Sequence, residues 1–362
     1  LQWQSLPDIF PVNSVGIVTA RDNLTIQDTP NQVRKTIHHF ASLDPETART
    51  AYQLGKDARD WKVDYAQKDL KDSGLNDNNI VPILYRPFDT RHTYYTGRSR
   101  GFLCMPRNEV MKQMLKENVG ILTNKREELD IPWSHALITS SISEHGVLSS
   151  KTTSYHFPLY LYPEDHKEDI FASEEREYNI STPLLERLSK QWMNFQPEQL
   201  FYYVYAILHS NQYRSRFAQY LRMDFPRIPF PDDYALFSQL TEQGLELAKI
   251  HLLKSPRLSP PLAKYQGSGS NDLVDYIRFE ESAGIVQINP DKYFEGITPE
   301  LWNFHIGGYQ VLHKYLKDRK GKILADPSHY CRIATALALT MEIQLKIDEI
   351  FPQIDNLNPA RK

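Results

Sequence analysis

Between residues 80 and 162 the chain is written in short runs of β-branched and aromatic residues, such as Val119-Gly120-Ile121-Leu122 and Ala136-Leu137-Ile138-Thr139, with turn signals between them. Runs of that length suit strands and are too short for amphipathic helices. The flanks read differently. Asp28-Thr29-Pro30 and Asp44-Pro45 each set a capping oxygen before a proline, the signature of a helix start. Residues 46–70 are polar and helix-prone. Thr182-Pro183 opens another helix, residues 197–209 and 213–221 two more, and 236–253 a longer amphipathic one. A last helix over 328–351 would place Ile333, Leu337, Met341 and Leu345 on one stripe. The expected class is α+β, a mixed β-sheet region flanked by a helical subdomain.

This texture divides the chain into four parts. Residues 1–79 form an N-terminal strand (16–20) and helical connector. Residues 80–165 form the β-rich region, with a short helix over 108–116. The acidic stretch 164–177 marks a boundary. Residues 166–270 form the helical subdomain, ending in a Pro/Ser/Gly-rich loop (255–270) that reads as mobile. Residues 271–362 hold strands over 274–279 and 284–288 and the last helix.

Composition enters as a set of exclusions. Lys and Arg number 42 against 45 Asp and Glu, a net charge of −3, so any polyanion would be met by a basic face and not by the sum. Cys104 and Cys331 are the two cysteines, too few and too far apart for a disulfide framework or a zinc cluster, which suits a reducing cytoplasm. No apolar run has the length of a membrane span, and the first residues lack a signal peptide. The chain begins with Leu1 and reads as a piece of a longer polypeptide.

Catalytic signatures are missing where they could be checked. There is no phosphate-binding glycine spacing before Lys-Ser/Thr. Gly267-Ser268-Gly269 sits in the low-complexity loop. Pro260-Pro261 stands between Ser259 and Leu262, without the Asn/Asp and aromatic neighbours that an amino-methyltransferase needs. Glu280-Glu281 has no following Glu-x-Lys, so a metal-dependent nuclease is not supported. His38, His39 and His313 read as surface residues. His92, His135 and His145 remain as candidate polar contacts. A catalytic site around His92, Glu144 and His145 finds no supporting carboxylate or nucleophile arrangement. The expectation is no catalytic residue, no metal and no cofactor in this chain.

One stretch is strongly cationic. Residues 84–102, LYRPFDTRHTYYTGRSRGF, carry Arg86, Arg91, Arg98 and Arg100 among Tyr85, Phe88, Tyr94 and Tyr95, with Asp89 the one acid. Arginine presents a planar fork that matches phosphate oxygens or the acceptor edge of guanine. A turn at Pro87-Phe88 with Asp89 paired to Arg91 or Arg86 is the structural alternative, and the two readings are compatible. The expected DNA contacts are Arg86, Arg91, Tyr94, Arg98 and Arg100. A second group lies in polar loops downstream: Asn124, Lys125, Arg126, Ser140, Ser143 and Lys151, with Ser141 beside them. Loops between strands are where a reader varies its target without disturbing its core.

The run Tyr85-Arg86-Pro87-Phe88-Asp89-Thr90-Arg91 with Tyr94-Tyr95 resembles the opening of the C-terminal target-recognition domain of type ISP single-polypeptide restriction–modification enzymes. Further blocks agree in order: Phe157-Pro158-Leu159-Tyr160-Leu161-Tyr162, then Asp224-Phe225-Pro226-Arg227-Ile228-Pro229-Phe230, then residues 296–309 with their Trp302 and Gly307-Gly308. The resemblance implies sequence-specific recognition of double-stranded DNA. It implies that a nuclease, an ATP-driven motor and an adenine-N6 methyltransferase precede this domain in one polypeptide. S-adenosylmethionine, ATP and Mg2+ would serve those parts, and the methyltransferase and motor would be this chain's partners, with no membrane involved. The rival reading is a coupling domain that holds those modules without reading bases, for which the helical segment 182–253 would serve.

Overall fold

The computed structural model describes residues 3–163 and 176–354; the expected boundary at 164–177 lies, but for its last two residues, outside them. The fold is α+β, with several small sheets among the helices. The chain gathers into two compact units, each drawn from separated stretches: one from residues 10–122 and 139–179, the other from 1–9, 123–138 and 180–362. Segments 10–79 and 80–122 thus share one unit, and the helical and C-terminal segments share the other.

The first unit starts at strand β1 (Ser14–Val15). Helix α1 (Pro30–Ser42) has the start its sequence announces: the Thr29 hydroxyl accepts from the Gln32 N–H at 3.2 Å, and the Gln32 side chain accepts from the Thr29 N–H at 3.0 Å. This reciprocal box satisfies two helix-end donors. Asp44 caps the short helix Pro45–Ala51 one way only, its carboxylate accepting from the Glu46 and Thr47 N–H groups. Helix α2 (Val63–Asp72) turns Val63, Ala66 and Leu70 inward. Strands β2 (Ile80–Arg86) and β3 (Asp89–Tyr94) form an antiparallel hairpin, in register from Ile80 opposite Tyr94 to Leu84 opposite Thr90. The apolar run at 119–122 falls, from Gly120 on, in β4 (Gly120–Asn124), which extends past it to Asn124. Strand β5 (Ile142–Ser143) runs parallel to β2 through Ile83 and Leu84. Strand β6 (Ser154–Pro158) lies between β1 and β4.

One continuous core holds this unit. Ile17, Ile37, Phe40, Trp61, Ile83, Tyr94, Phe102 and Ile142 are all buried in it. Burying aliphatic or aromatic side chains of this size is worth about 1.5–3 kcal/mol each. The polar atoms inside are paired: the Trp61 indole donates to the Phe102 carbonyl at 3.1 Å, and the Gln67 amide donates to the carbonyls of Phe40 and Leu43 at 2.8 and 2.9 Å.

The second unit is mainly helical. It contains α3 (Thr182–Gln191), α4 (Pro197–His209), α5 (Asn211–Arg216) and α6 (Tyr234–His251). The expected helix over 213–221 is broken at Phe217, where α5 ends. Helices α4 and α6 touch backbone to backbone: a Cβ on Gly244 would stand 1.8 Å from the Tyr202 carbonyl oxygen, so only glycine fits.

Residues 255–270 are not the loop expected. They include β7 (Lys264–Gly267), the edge of a four-stranded sheet in the order β7, β10 (Lys292–Glu295), β9 (Ile285–Gln287), β8 (Arg278–Glu280). Pro, Ser and Gly bracket this strand and hide it from a composition reading. What makes it a strand is a partner remote in sequence: Tyr265 lies opposite Phe294, with ring centroids 4.8 Å apart. The strands expected over 274–279 and 284–288 shorten to β8 and β9.

The short helix α7 (Pro299–Trp302) precedes the hairpin that pairs His305 with Gln310, and the last helix is α8 (Pro327–Ile354). Of its expected stripe, Ile333 and Leu337 are buried but Leu345 is 65% exposed. Positions four apart drift by about 40° per step around a helix, so the buried line passes to Ile343 and Ile347. Three helices are tied by a buried chain: the Tyr205 hydroxyl meets His251 Nδ1 at 2.5 Å, and His251 Nε2 meets the Thr340 hydroxyl at 2.8 Å. Burial pushes His251 down to about 3.

Candidate nucleic-acid interface

The β2–β3 hairpin turns at Pro87-Phe88, where Phe88 takes a left-handed backbone with φ of 60°. A bulky side chain rarely adopts this region, and here the ring is buried in exchange. The flanking charges face inward. Arg86 donates to the Glu144 carboxylate at 2.6 Å, with Glu144 almost fully buried. Arg91 donates to Asp89 at 2.8 Å, and Asp89 is 1% exposed. The two guanidinium carbons lie 3.9 and 4.4 Å from the centroid of the Tyr85 ring, within cation–π range. The Tyr85 hydroxyl donates to Asp22 at 2.8 Å. Arg86, Arg91 and Tyr94, expected as DNA contacts, are therefore corrected to structural roles. Tyr94 is fully buried, its hydroxyl 2.8 Å from the Ser73 hydroxyl and 3.2 Å from the Asn79 amide.

Glu144 also accepts from the Gly146 N–H at 2.8 Å and pairs with His145. The hydrogen bond to Glu144 raises the His145 pKa above its ordinary value, against the opposing pull of burial. Of the trio His92, Glu144 and His145, Glu144 bonds to both Arg86 and His145, and the His92 main chain bridges to Gln27. Burial lowers the His92 pKa.

A few residues beyond the hairpin the arrangement inverts. Asp69 on α2 is 2% exposed, and it holds both ends of the loop 96–102. Its carboxylate accepts from the Thr96 hydroxyl at 2.9 Å and from the Phe102 N–H at 2.8 Å. A Cβ on Gly101 would stand 2.2 Å from Asp69 Oδ2, so the glycine lets the loop close over the carboxylate. The Arg100 N–H donates to the Cys104 carbonyl at 2.9 Å, with Arg100 at φ of 56°. The backbone is clamped while the two cationic side chains project. Arg98 and Arg100 are 45% and 62% exposed and pair with Asp72 at 2.7 Å and Asp60 at 3.1 Å. Asp72 is exposed as well, and a pair of that kind is weak and screened by salt, so a phosphate oxygen can replace it; Asp60 is half-buried, with Arg100 reaching out from it.

The downstream candidates divide. Ser140 and Lys151 are exposed in the same unit as this loop. Ser143 is buried, its hydroxyl 2.9 Å from Nδ1 of His156, and burial pushes His156 down to about 3. Asn124 is fully buried within β4. Ser143 and Asn124 are thus corrected to interior positions, as is the neighbouring Ser141. In the other unit Arg126 is exposed, and the half-buried Lys125 sets its ammonium 5.5 Å from the Phe225 ring centroid. His135, a candidate contact, is buried beside Glu127 with 2.6 Å between them.

Sequence reasoning missed Asp69 and the partnership of Glu144 with Arg86. The glycines that bracket the loop, Gly97 and Gly101, were the one local signal for a close approach; nothing local marks an acid 33 residues away from Phe102 as its partner.

A family model described as the Type ISP C-terminal specificity domain matches residues 8–343. Three solved structures share the fold. One, described as a cryoEM structure of a DrdV–DNA complex, aligns with a TM-score of 0.65 at 21% identity, over 95% of this chain and 36% of that one. The ATP-dependent Type ISP restriction-modification enzyme LlaBIII bound to DNA aligns at 0.65 and 18% identity, over 96% of this chain and 23% of that one. A nuclease-deletion mutant of the Type ISP enzyme LlaGI in complex with a DNA substrate mimic aligns at 0.63 and 18% identity, over 96% and 33%. This chain thus spans about a third of the length of such proteins, or less. No curated protein matches it. Among the described residues no helix is long and apolar enough to cross a membrane.

Proposed function

Since this chain belongs to the Type ISP C-terminal specificity domain family, we propose that it selects the double-stranded DNA site on which a longer restriction–modification polypeptide acts. The observation that carries this reading is the family match over nearly the whole chain. The clamped loop with Arg98 and Arg100 outward supplies a matching device in this structure. Affinity comes from arginine and lysine contacts to phosphates, and selection from side chains that reach base edges. Of the residues expected to touch DNA, Arg98, Arg100, Ser140, Lys151 and Arg126 are exposed and Lys125 is half-buried, and the contacts are assigned to these.

The chemistry belongs to the rest of the polypeptide. Adenine methylation with S-adenosylmethionine, cleavage, and ATP- and Mg2+-dependent movement would reside in the preceding parts, which this chain directs. Among the described residues no three His, Cys, Asp or Glu side chains are grouped to hold a metal.

The test is selection of bound duplexes from a random pool by the 362-residue chain. Enrichment of one short sequence, abolished by replacing Arg98 and Arg100 with Ala together, supports the reading. Retention without sequence preference would replace it with a coupling role.

A further inference from the structure

Residues 131–134, helix α5 and the turn 303–305 line an open cleft of about 410 Å3 within the second unit. Trp133 and Phe304 give it aromatic walls, and Arg214, Ser134, Asn303 and His305 give it polar ones. Ser134 is placed by the glycine turn of the neighbouring hairpin, whose Gly307 N–H donates to the Ser134 carbonyl at 3.0 Å.

One buried group here lacks a hydrogen-bond partner, and the half-buried cation beside it has no close carboxylate among the described residues. Trp133 is 3% exposed, and its indole N–H is buried without a hydrogen-bond partner. Arg214 spends Nε on the Leu208 carbonyl at 2.7 Å. Among the described residues no carboxylate oxygen lies within 4.0 Å of its guanidinium. Asp348 acts on Arg214 from farther away, and its Oδ1 is already occupied by the Ser210 hydroxyl and the Gln212 N–H at 2.7 and 3.1 Å. The Arg214 guanidinium carbon lies 5.7 Å from the centroid of the Trp133 ring, which puts cation and indole in one wall. Burial pulls Arg214 down to about 10. A half-buried cation without a close counter-charge is poorly compensated, and a buried donor without an acceptor destabilises a fold. One anion with several acceptor oxygens relieves both.

We propose that this cleft binds a phosphate group, with the Arg214 guanidinium and the Trp133 indole N–H as donors and the aromatic walls taking the organic part. Arginine's fork matches phosphate geometry, and the cleft is within the size range of small-molecule sites, larger than a lone carboxylate requires. The one carboxylate of the lining, Glu300, is exposed to solvent. The phosphate can come from a free nucleotide or from the DNA backbone, and the experiment separates these sources. The assignment does not depend on the arginine loop.

The thermal midpoint of the 362-residue chain is followed against inorganic phosphate, deoxyadenosine monophosphate and a short duplex at constant ionic strength. Arg214→Met and Trp133→Phe are the variants, the second keeping the aromatic ring and losing only the donor. The expected result is a saturable upward shift whose apparent affinity falls at least about tenfold in each variant, the loss of one strong hydrogen bond. The duplex arm is run in a protein carrying both Arg98→Ala and Arg100→Ala, so that the arginine loop does not supply its shift. A shift with the nucleotide assigns the site to a free ligand; a shift with the duplex alone assigns it to the DNA backbone. No shift with any of the three, or a shift that survives Trp133→Phe, overturns the proposal. Should Arg214→Met fail to fold, Trp133→Phe carries the test alone.

Discussion

Arg86 and Arg91 in the hairpin, and Arg98 and Arg100 in the loop after it, are the same residue type within one short stretch and have opposite roles. In the hairpin each guanidinium meets a nearly buried acid and packs against Tyr85. In the loop the acid that matters, Asp69, bonds to backbone and a hydroxyl, and the exposed arginines pair with the exposed Asp72 and the half-buried Asp60. The difference teaches that a cationic sequence becomes a binding surface only where its counter-charges are solvated. Where they are buried, the same cations become part of the core.

That contrast can be broken most directly at Glu144. Glu144→Ala leaves Arg86 without its buried partner, and the expected loss of stability is about 3–5 kcal/mol, read from urea unfolding. A loss near zero would place the hairpin arginines in the same class as those of the loop. The clamp is next. Asp69→Ala removes a charged acceptor from the Thr96 hydroxyl and the Phe102 N–H, with an expected cost of about 2–3 kcal/mol. DNA affinity should fall with it although Asp69 touches no ligand. Undiminished DNA affinity in a folded Asp69→Ala protein would show that the loop needs no fixed geometry.

Acid sharpens the comparison from the hairpin side, where Ser143 beside Glu144 is bonded to His156. The folded pKa of His156, about 3, lies below its ordinary value, so the unfolded chain takes up the proton first. Stability is complete above about pH 6.5 and declines as pH falls from there toward about 3, by up to about 1.4 kcal/mol per pH unit for this group. His145 has the opposite sign: its raised pKa contributes stability that is full below its ordinary value and lost as pH rises through the folded one. Urea midpoints measured between about pH 5 and 8 should fall toward acid, less steeply in His156→Gln.

The smallest effect on stability belongs to the loop. Arg98→Ala and Arg100→Ala should leave the urea midpoint in place, since both side chains are exposed. They should instead reduce the slope of log affinity against log salt, by about 0.9 for each phosphate that is no longer neutralised. An unchanged slope in a gel-shift titration at low salt removes the loop from the interface.

Much of the fold was legible because its signals are local. Proline after a capping oxygen marks α1 and the helix Pro45–Ala51, and short apolar runs mark the sheet region and β4 within it. The strand at Lys264–Gly267 was not legible, since its reason for existing is Phe294 and the other residues of β10. The candidate site was legible by half. The density of arginine between residues 84 and 102 marked the stretch as cationic, but sorting the exposed Arg98 from the paired Arg86 required knowing where Asp69 and Glu144 lie. Asn124 and Ser143 look like loop residues by type and are interior by position.

By itself the sequence determined the class of fold, the helix starts, the cationic stretch and, through blocks spread along the chain, the family. Those depend on near neighbours or on order along the chain. Only the tertiary structure decided which charges are spent inside and which face outward, and that Trp133 and Arg214 share one wall of a cleft. Coulomb attraction and desolvation act through space, so the partner that fixes a side chain's role is set by folding and not by distance in sequence.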